Sequence, residues 1–335
     1  MSHKHLSVEE REIIALMLAC GYSQSEIAVA IDKHQSTVSR ELRRNRSPGG
    51  SYRPVTAHRM ARKRRQGANQ GRGYKMDQPE LLENVQKGLS WGWSPEQITQ
   101  RLRLEYDDLP AMRISHETIY AWIWKNKRQG GQWYLKLRQG QKKYKRRARG
   151  KPDGRKIIPN RVWIDDRPEE VGARGRLGDW EGDTIMGRGR RHAVLSLTER
   201  RSQYVVLGKM EKRNWRTLNS IAHRAFKRHD RTGQLPRETL TVDNGPEFWG
   251  HENLADKLNV DVYFARPNQP WQRGLNEQIN GLIRQFLPKS TDMRNVTANQ
   301  LRRIEKLLNN RPRKKLGYQT PLEVMRTRCD YAFRV

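Results

Sequence analysis

The first part of the chain, roughly residues 6–46, carries apolar residues at helical spacing and predicts three short helices. Ser7 and Ser23 each stand three positions before a glutamate, which is the capping-box pattern of a helix start. A third helix is predicted from about Gln35 to Arg44. Two helices joined by a tight turn, the second with a polar and basic outer face, are typical of a helix-turn-helix. An ordinary helical bundle with a charged solvent face is the alternative.

The third predicted helix has an inner and an outer side. Val38 and Leu42 can face the core, whereas the opposite side is polar and consists of Thr37, Arg40, Glu41 and Arg44. If this helix reads DNA, we expect the contacts to come from Gln35, Ser36, Thr37, Arg40, Arg43 and Arg44. The basic residues that follow, between positions 59 and 65, would contact phosphates beside it.

A second segment, residues 90–127, shows the same kind of pattern. Ser94 followed by Pro95 predicts a helix start, and Ser115 caps a further helix with the sequence HETIYAWIWKN. At the start of that helix, Ser115, His116 and Thr118 suit contacts with base edges or phosphates. A helical hairpin that only packs inside the protein is the alternative.

Beyond about residue 157 the pattern changes to alternating strands and helices, as in an α/β domain. The first predicted strand begins at Thr184, and the others cover His192–Thr198, Gln203–Lys209, Glu238–Val242 and Val260–Phe264. The first three strands are predicted to form a meander. The predicted helices cover Trp215–Lys227, His251–Leu258 and Leu275–Leu287.

The charge balance indicates a polyanionic partner. The 335 residues include 67 Lys and Arg against 36 Asp and Glu, a formal net charge of +31. In a compact protein with such a surplus, the positive charges repel one another, and binding to negatively charged nucleic acid would compensate them. No stretch approaches the roughly 20 apolar residues of a membrane span, and the N-terminus lacks the apolar core of a signal peptide. We therefore expect a cytoplasmic protein that is associated with the nucleoid when bound to DNA.

Residues 139–157 are basic, contain glycine and have almost no apolar content. We interpret them as a linker that becomes ordered on DNA, with Lys142, Lys143, Arg146 and Arg147 as candidate phosphate contacts. A solvated tether is the alternative. The cysteines, Cys20 and Cys329, are far apart in sequence and form no CxxC pattern, so we expect neither a disulfide scaffold nor a zinc site.

Three acidic residues of the α/β part stand where a sheet and a helix can bring them together. Asp183 is predicted at the start of the first strand, Asp243 at the end of the fourth, and Glu277 near the start of the last helix. Glu277 lies about 200° round that helix from Leu275, so it points away from the apolar stripe. Clustered carboxylates repel one another unless a cation holds them, and two Mg²⁺ or Mn²⁺ ions would stabilise in-line attack on phosphorus. Solvent-exposed charges are the alternative for each residue.

Other residues of this region have open interpretations. The acids Asp179, Glu181 and Glu247 are either surface groups or partners of the metal ligands. Trp271 and Arg273, which shortly precede Glu277, could stack on or clamp a DNA strand, and a core position is the alternative for Trp271.

Three blocks of the sequence resemble the catalytic blocks of bacterial DDE transposases, in particular those of the insertion sequence thirty family. They are Gly178–Gly187 (GDWEGDTIMG), Thr241–Phe248 (TVDNGPEF) and Trp271–Gly281 (WQRGLNEQING). Further blocks that resemble the family are Ser36–Leu42, Gly92–Gln97, Ile114–Tyr120 and Ile158–Arg161. The sequence departs from the commonest pattern at Pro267–Pro270, Gln278 and Ser290.

The resemblance implies all-α helix-turn-helix units in the N-terminal half and an α/β RNase H-like core, of the integrase type, in the C-terminal part. The implied domains are residues 1–66 and 67–138 for DNA binding, 139–157 as linker, and 158–335 as the catalytic domain with a basic extension. Asp183, Asp243 and Glu277 are implied as metal ligands. The implied activity is cleavage at terminal inverted repeats and strand transfer into target DNA.

Because two DNA ends have to be held together, we expect a homo-oligomer, a dimer or larger, bound to double-stranded DNA. Two other functions are compatible with the same residues. A repressor that has lost catalysis would use the helix-turn-helix units alone, and a structure-selective nuclease with the same core would cleave branched DNA without terminal repeats.

Overall fold

The computed structural model describes residues 5–46, 50–70, 74–138, 158–189, 191–230, 235–267 and 269–328. The chain divides into two compact units, Met1–Gln78 and Pro79–Val335. The predicted boundary between residues 66 and 67 falls inside a helix of the first unit. The predicted linker, with Lys142, Lys143, Arg146 and Arg147, lies outside the described residues.

The first unit contains the helices α1 (Val8–Ala19), α2 (Gln24–Ala30), α3 (Gln35–Asn45) and α4 (Pro54–Gln70). Both predicted capping boxes are confirmed, because each serine side chain accepts the glutamate N–H and each glutamate accepts the serine N–H. Ile14, Ile27 and Val38 form the centre of the core and are completely buried. A short connection joins α2 to α3, which gives the pair its helix-turn-helix arrangement.

Glu41 does not lie on the outer side of α3, where the spacing predicted it. Its side chain is 8% exposed and pairs with Arg11 of α1, Nε to Oε1 at 2.8 Å and Nη2 to Oε2 at 3.1 Å. Tyr52 donates its hydroxyl to the same carboxylate at 3.1 Å. The prediction is wrong because helical spacing does not distinguish a carboxylate in water from one that is paired across a core.

In the second unit, α5 (Pro79–Ser90), α6 (Pro95–Glu105) and α7 (His116–Arg128) precede the sheet. Ser94 caps α6 through a capping box with Gln97. Polar side chains of α6 contact residues between Pro312 and Glu323. Arg101 Nη1 donates to Glu323 at 2.8 Å, and Gln97 Nε2 donates to the Pro312 carbonyl at 2.7 Å. Much of the polar surface of α6 is therefore occupied by contacts within the unit.

The described residues of the second unit form a mixed sheet in the order β1-β6-β5-β2-β3-β4. Its strands are β1 (Val162–Trp163), β2 (Asp179–Met186), β3 (Ala193–Glu199), β4 (Val205–Met210), β5 (Thr239–Val242) and β6 (Asp261–Phe264). β2, β3 and β4 form the predicted antiparallel meander, and β5, β6 and β1 extend the sheet in parallel from β2. This is the arrangement of an RNase H-like core, and the predicted fold class is confirmed.

Two details of the sheet differ from the prediction. β2 begins at Asp179 rather than at Thr184, so Asp183 lies inside the strand and not at its start. Acidic residues at alternate positions hide the beginning of this strand, because they read as a solvated loop. β1 was not predicted, since two residues are too few to show a strand pattern.

Helices cover both faces of the sheet. They are α8 (Glu169–Ala173), α9 (Trp215–His229), α10 (His251–Leu258), α11 (Gly274–Phe286), α12 (Ala298–Asn309) and α13 (Pro321–Arg328). Trp180 of β2 packs with Phe226 of α9 on one face, while Ile185 packs with Ile279 of α11 on the other. Because strand residues alternate between faces, Asp183 lies on the side of α11. In the described part of the chain, none of the helices combines the length and apolarity that a membrane span requires.

The edge strand β4 is covered by side chains of α12. Glu305 Oε1 accepts the Leu207 N–H at 2.5 Å, and Asn309 both accepts the Val205 N–H and donates to its carbonyl, each at 2.8 Å. Unpaired strand edges invite pairing with other chains. Here one turn of helix supplies the hydrogen bonds of a missing neighbour strand.

Candidate active site and nucleic-acid interface

The outer side of α3 presents a polar and basic surface. Its exposed candidate DNA contacts are Gln35, Arg40, Arg43 and Arg44, and its half-buried ones are Ser36 and Thr37. Arg40 Nη2 donates to the Ser36 hydroxyl at 3.0 Å, which holds this guanidinium along the helix. A helix with such a face is suited to a DNA groove.

The start of α7 uses part of its polar side chains for capping. The Ser115 hydroxyl accepts the Thr118 N–H at 3.2 Å, and the two hydroxyls lie 3.1 Å apart. His116 is exposed, with Nε2 at 3.0 Å from the Glu117 carboxylate. Ser115 and Thr118 therefore hold the helix start, while His116 offers the larger polar surface to solvent.

Asp183 and Asp243 reach the same level of the sheet on neighbouring parallel strands. β2 and β5 pair Glu181 with Thr241, and two residues farther along the two chains stand Asp183 and Asp243. Asp183 lies inside β2, whereas Asp243 directly follows the last residue of β5. The carboxyl end of β5 therefore places the second acid beside the first.

One guanidinium contacts both acids. Arg273 Nη2 lies 3.2 Å from Asp183 Oδ2, and Nη1 lies 3.6 Å from Asp243 Oδ2. Asn280 Nδ2 donates to Asp183 Oδ2 at 2.6 Å. The two carboxylates thus converge on a positively charged group. Arg273 lies within the acidic site, and its role in clamping a DNA strand stays a prediction.

The turn after β5 concentrates negative charge at Asp243. Burial raises the pKa of the Asp243 carboxyl; Arg273 opposes this, and the charges of Asp183 and Glu247 add to it. The Gly245 N–H donates to Asp243 Oδ1 at 3.0 Å, and a Cβ at this glycine would lie 2.7 Å from the Glu247 carboxyl. The close approach of the two acids to this turn therefore requires glycine.

Glu277 lies on the side of α11 that faces these acids. Asn280 follows it by nearly one turn of α11 and contacts Asp183, as does Arg273, which lies just before the helix. Residues three positions apart share a side of an α-helix, so Glu277 and Asn280 face the same way. The Glu277 side chain is exposed there. Among the described residues, no three His, Cys, Asp or Glu side chains form a metal-binding cluster, so the structure brings together Asp183 and Asp243 but not the whole predicted triad.

The competing acids are buried, not surface groups. Asp179 and Glu181 are each 1% exposed and Glu247 is 2% exposed. Glu247 accepts the Thr184 hydroxyl at 2.5 Å through Oε1 and pairs with Arg213 at 3.0 Å through Oε2. Because both of its oxygens are engaged with protein groups, Glu247 is suited to holding the site together.

Glu181 positions α11, a role that the sequence reasoning missed. Its Oε2 accepts the backbone N–H of Asn276, in the first turn of α11, at 3.2 Å, and Oε1 lies 3.5 Å from Arg200. A carboxylate at a helix N-terminus is stabilised by the helix dipole. The acids at alternate positions 179, 181 and 183 share one face of a strand, but this pattern does not show which helix crosses that face.

Trp271 lies on the surface. Its side chain is 71% exposed, in the single helical turn Pro270–Arg273 that leads into α11. The alternative of a core aromatic is therefore wrong. An exposed indole two residues from Arg273 is suited to stacking on a nucleic-acid base.

Asp183 and Asp243 fit a divalent cation. They offer only oxygen ligands, which Mg²⁺ and Mn²⁺ prefer. Both carboxylates already attract one cationic group, and burial together with the negative charges of Asp183 and Glu247 raises the pKa of the Asp243 carboxyl. A positive ion at this position would relieve that repulsion.

Proteins similar to this chain are insertion-sequence transposases. A family profile described as "Helix-turn-helix domain" matches residues 2–45. The transposase for insertion sequence element IS4351 of Bacteroides fragilis is 42% identical over 96% of this chain and 95% of its own length. Transposase InsI for insertion sequence element IS30A of Escherichia coli (strain K12) is 34% identical over 96% of this chain and 83% of its own. Among solved structures, the catalytic core domain of BIV integrase covers 44% of this chain and 91% of its own, at 19% identity and a TM-score of 0.33. The chain belongs to the IS30 family of insertion-sequence transposases.

Proposed function

We propose that Asp183, Asp243 and Glu277 are the active-site acids with which this transposase cleaves DNA at its terminal inverted repeats and transfers the strands into target DNA. The observation that carries the proposal is the convergence of Asp183 and Asp243, from neighbouring strands, on one guanidinium. Glu277 projects from the facing side of α11, between two residues that contact Asp183. Family membership supports the same reaction class.

The three acids would hold two Mg²⁺ or Mn²⁺ ions. When bound, such ions lower the pKa of the attacking water or 3′-hydroxyl and neutralise the leaving oxygen, so no covalent protein intermediate is needed. The protein holds its carboxylates in place beforehand. The Thr184 N–H donates to Asp183 Oδ1 at 2.7 Å and Asn280 donates to Oδ2, while the Gly245 N–H orients Asp243. Fixed ligands of this kind lower the reorganisation that the reaction requires.

The DNA is read by the N-terminal unit. The outer side of α3 would contact base edges in the inverted repeat, because its polar residues are accessible and its basic residues follow along the helix. His116, Trp271 and the basic residues 142–147 would add contacts outside the recognition helix. Since the reaction joins two ends, the working form would be a dimer or larger.

Cleavage is expected to depend on the element's own ends. A labelled duplex that carries the terminal inverted repeat should be cut at least about a hundredfold faster than one with a scrambled repeat, because base contacts and not phosphate contacts carry specificity. Single-turnover cleavage in Mg²⁺ measures both rates. A branched duplex without the repeat is the control.

Three outcomes separate the candidate functions. End-dependent cleavage with joining to target DNA supports the transposase reaction. Equal cleavage of the branched control would show a structure-selective nuclease instead. Specific binding of the repeat without cleavage of any duplex would show a repressor.

A further inference from the structure

The block Ile158–Arg161, which resembles the family's pattern, has a structural link to the acidic site. Arg161 Nη1 donates to Asn244 Oδ1 at 2.5 Å, and Asn244 directly follows Asp243. Asn244 in turn donates through Nδ2 to the Ala265 carbonyl at 2.7 Å. The Arg161 guanidinium is therefore fixed one residue away from an acid of the proposed active site.

Arg161 shares an aromatic surface with a second arginine. The guanidinium carbons of Arg161 and Arg266 each lie 4.5 Å from the ring centre of Trp163. The Arg266 backbone N–H donates to Gln272 Oε1 at 2.8 Å, and Gln272 stands between Trp271 and Arg273. This arginine stack (Arg161, Trp163 and Arg266) therefore connects β1, the end of β6 and the turn that leads into α11.

The charges of the arginine stack are poorly compensated. Arg161 is half-buried and forms no ion pair with any carboxylate of the described residues. Arg266 pairs with Asp165 at 2.5 Å, but Asp165 is itself exposed. Stacking on an indole contributes only weakly at such accessible sites, far less than a buried ion pair would need. Two guanidinium groups are thus held in fixed positions without the buried acidic partners that a purely structural pair would have.

We propose that the arginine stack binds a phosphodiester group of DNA beside the reaction centre. A guanidinium fork matches the geometry of phosphate oxygens, and stacking on Trp163 limits the rotation of both forks before DNA binds. The inference rests on the proposed function, because it assigns the scissile region of DNA to this edge of the sheet. The phosphate belongs either to the element's end or to the target DNA.

Neutral phosphate analogues test this inference. Single methylphosphonate substitutions are placed one at a time along the end DNA near the cut, and separately along a target duplex. With the wild-type protein, a methylphosphonate at one or two positions should weaken binding or slow the reaction about tenfold, because a charge-assisted hydrogen bond is lost. With Arg161→Gln, the same substitutions should change the result less than about twofold, because the contact is already missing.

Variants and controls make the result specific. Arg161→Lys keeps the charge but loses the fork, so its response to the methylphosphonates should lie between those of wild type and Arg161→Gln. Arg266→Gln should also reduce the response, but less than Arg161→Gln does. Arg302→Gln on α12 removes one exposed arginine elsewhere and should keep the full wild-type response. Thermal unfolding of each variant shows whether it is folded.

The arms of the experiment also identify the DNA. If Arg161→Gln loses the methylphosphonate effect only on the end duplex, the arginine stack binds the element's end. If it loses the effect only on the target duplex, the arginine stack binds target DNA. If each methylphosphonate weakens binding or slows the reaction by the same factor in Arg161→Gln as in wild type, on both duplexes, the inference is wrong. Because wild-type cleavage of the unmodified end is measured in the same series, its absence would instead count against the proposed function.

Discussion

Asp243→Asn is expected to lower the rate of strand cleavage by at least about 10³-fold, which corresponds to about 4 kcal/mol of activation free energy. The substitution keeps the size of the side chain and removes the charge that attracts a cation beside Asp183. Affinity for the end DNA should stay within about a factor of two, because the recognition surface that we propose lies in the N-terminal unit. Single-turnover cleavage and equilibrium binding of the same labelled duplex measure the two effects.

Asp256→Asn is the matched control for this prediction. Asp256 is an exposed residue of α10, so the same chemical change there should leave both cleavage and binding unaltered. A parallel loss of cleavage and end binding in Asp243→Asn would indicate that Asp243 supports the structure and not the reaction.

Arg11→Ala is expected to unfold the first unit (Met1–Gln78) locally. Arg11 and Glu41 are 3% and 8% exposed, and removing one partner leaves a buried charge without compensation, which costs about 3–5 kcal/mol. Hydrogen exchange of the α1 and α3 amides in the full-length protein should rise accordingly, because amide protection reports local unfolding. Binding of the inverted repeat should fall with it.

Two comparison variants separate folding from recognition. Arg40→Ala removes an exposed arginine of the same unit and should weaken end binding without loss of amide protection. Arg11→Met combined with Glu41→Met removes both buried charges and should lose less protection than Arg11→Ala alone. Equal protection in wild type and Arg11→Ala would refute the structural role of this ion pair.

Local signals in the sequence predict the secondary structure near the functional residues well. The helix His251–Leu258 has the bounds that the pattern indicates, and both N-terminal capping boxes form. A capping box involves only two residues that are three positions apart, so it can be recognised from the local sequence alone. The motif around Asp243 likewise contains the turn that places its carboxylate at the end of β5.

Contacts between distant segments could not be read from the sequence. Glu41 looks like a surface acid until Arg11, thirty residues earlier, is placed against it. Glu181 looks like one more acid beside Asp183, and its contact with the N-terminus of α11 depends on how that helix crosses the sheet. Acidic side chains inside a strand also concealed the first half of β2, because burial of charge requires partners that a pattern does not show.

The exposure of Trp271 is a similar case. An aromatic residue at the start of a block that resembles the family's catalytic blocks fits a core position and a DNA-facing position equally well, since both use the same apolar surface. Only the packing of the turn Pro270–Arg273 decides between them, and it places the indole at the surface.

The most direct test of the proposed active site is cleavage of a labelled duplex that carries the terminal inverted repeat, in Mg²⁺, in Mn²⁺ and in chelator, by wild type and by Glu277→Gln. Glu83→Gln, an exposed position on α5, is the matched control. We expect 3′-hydroxyl ends from wild type and control only when metal is present, and none from Glu277→Gln although it still binds the repeat. Cleavage by Glu277→Gln at the wild-type rate, or cleavage that persists in chelator, would contradict the assignment of Asp183, Asp243 and Glu277 as a metal-binding triad.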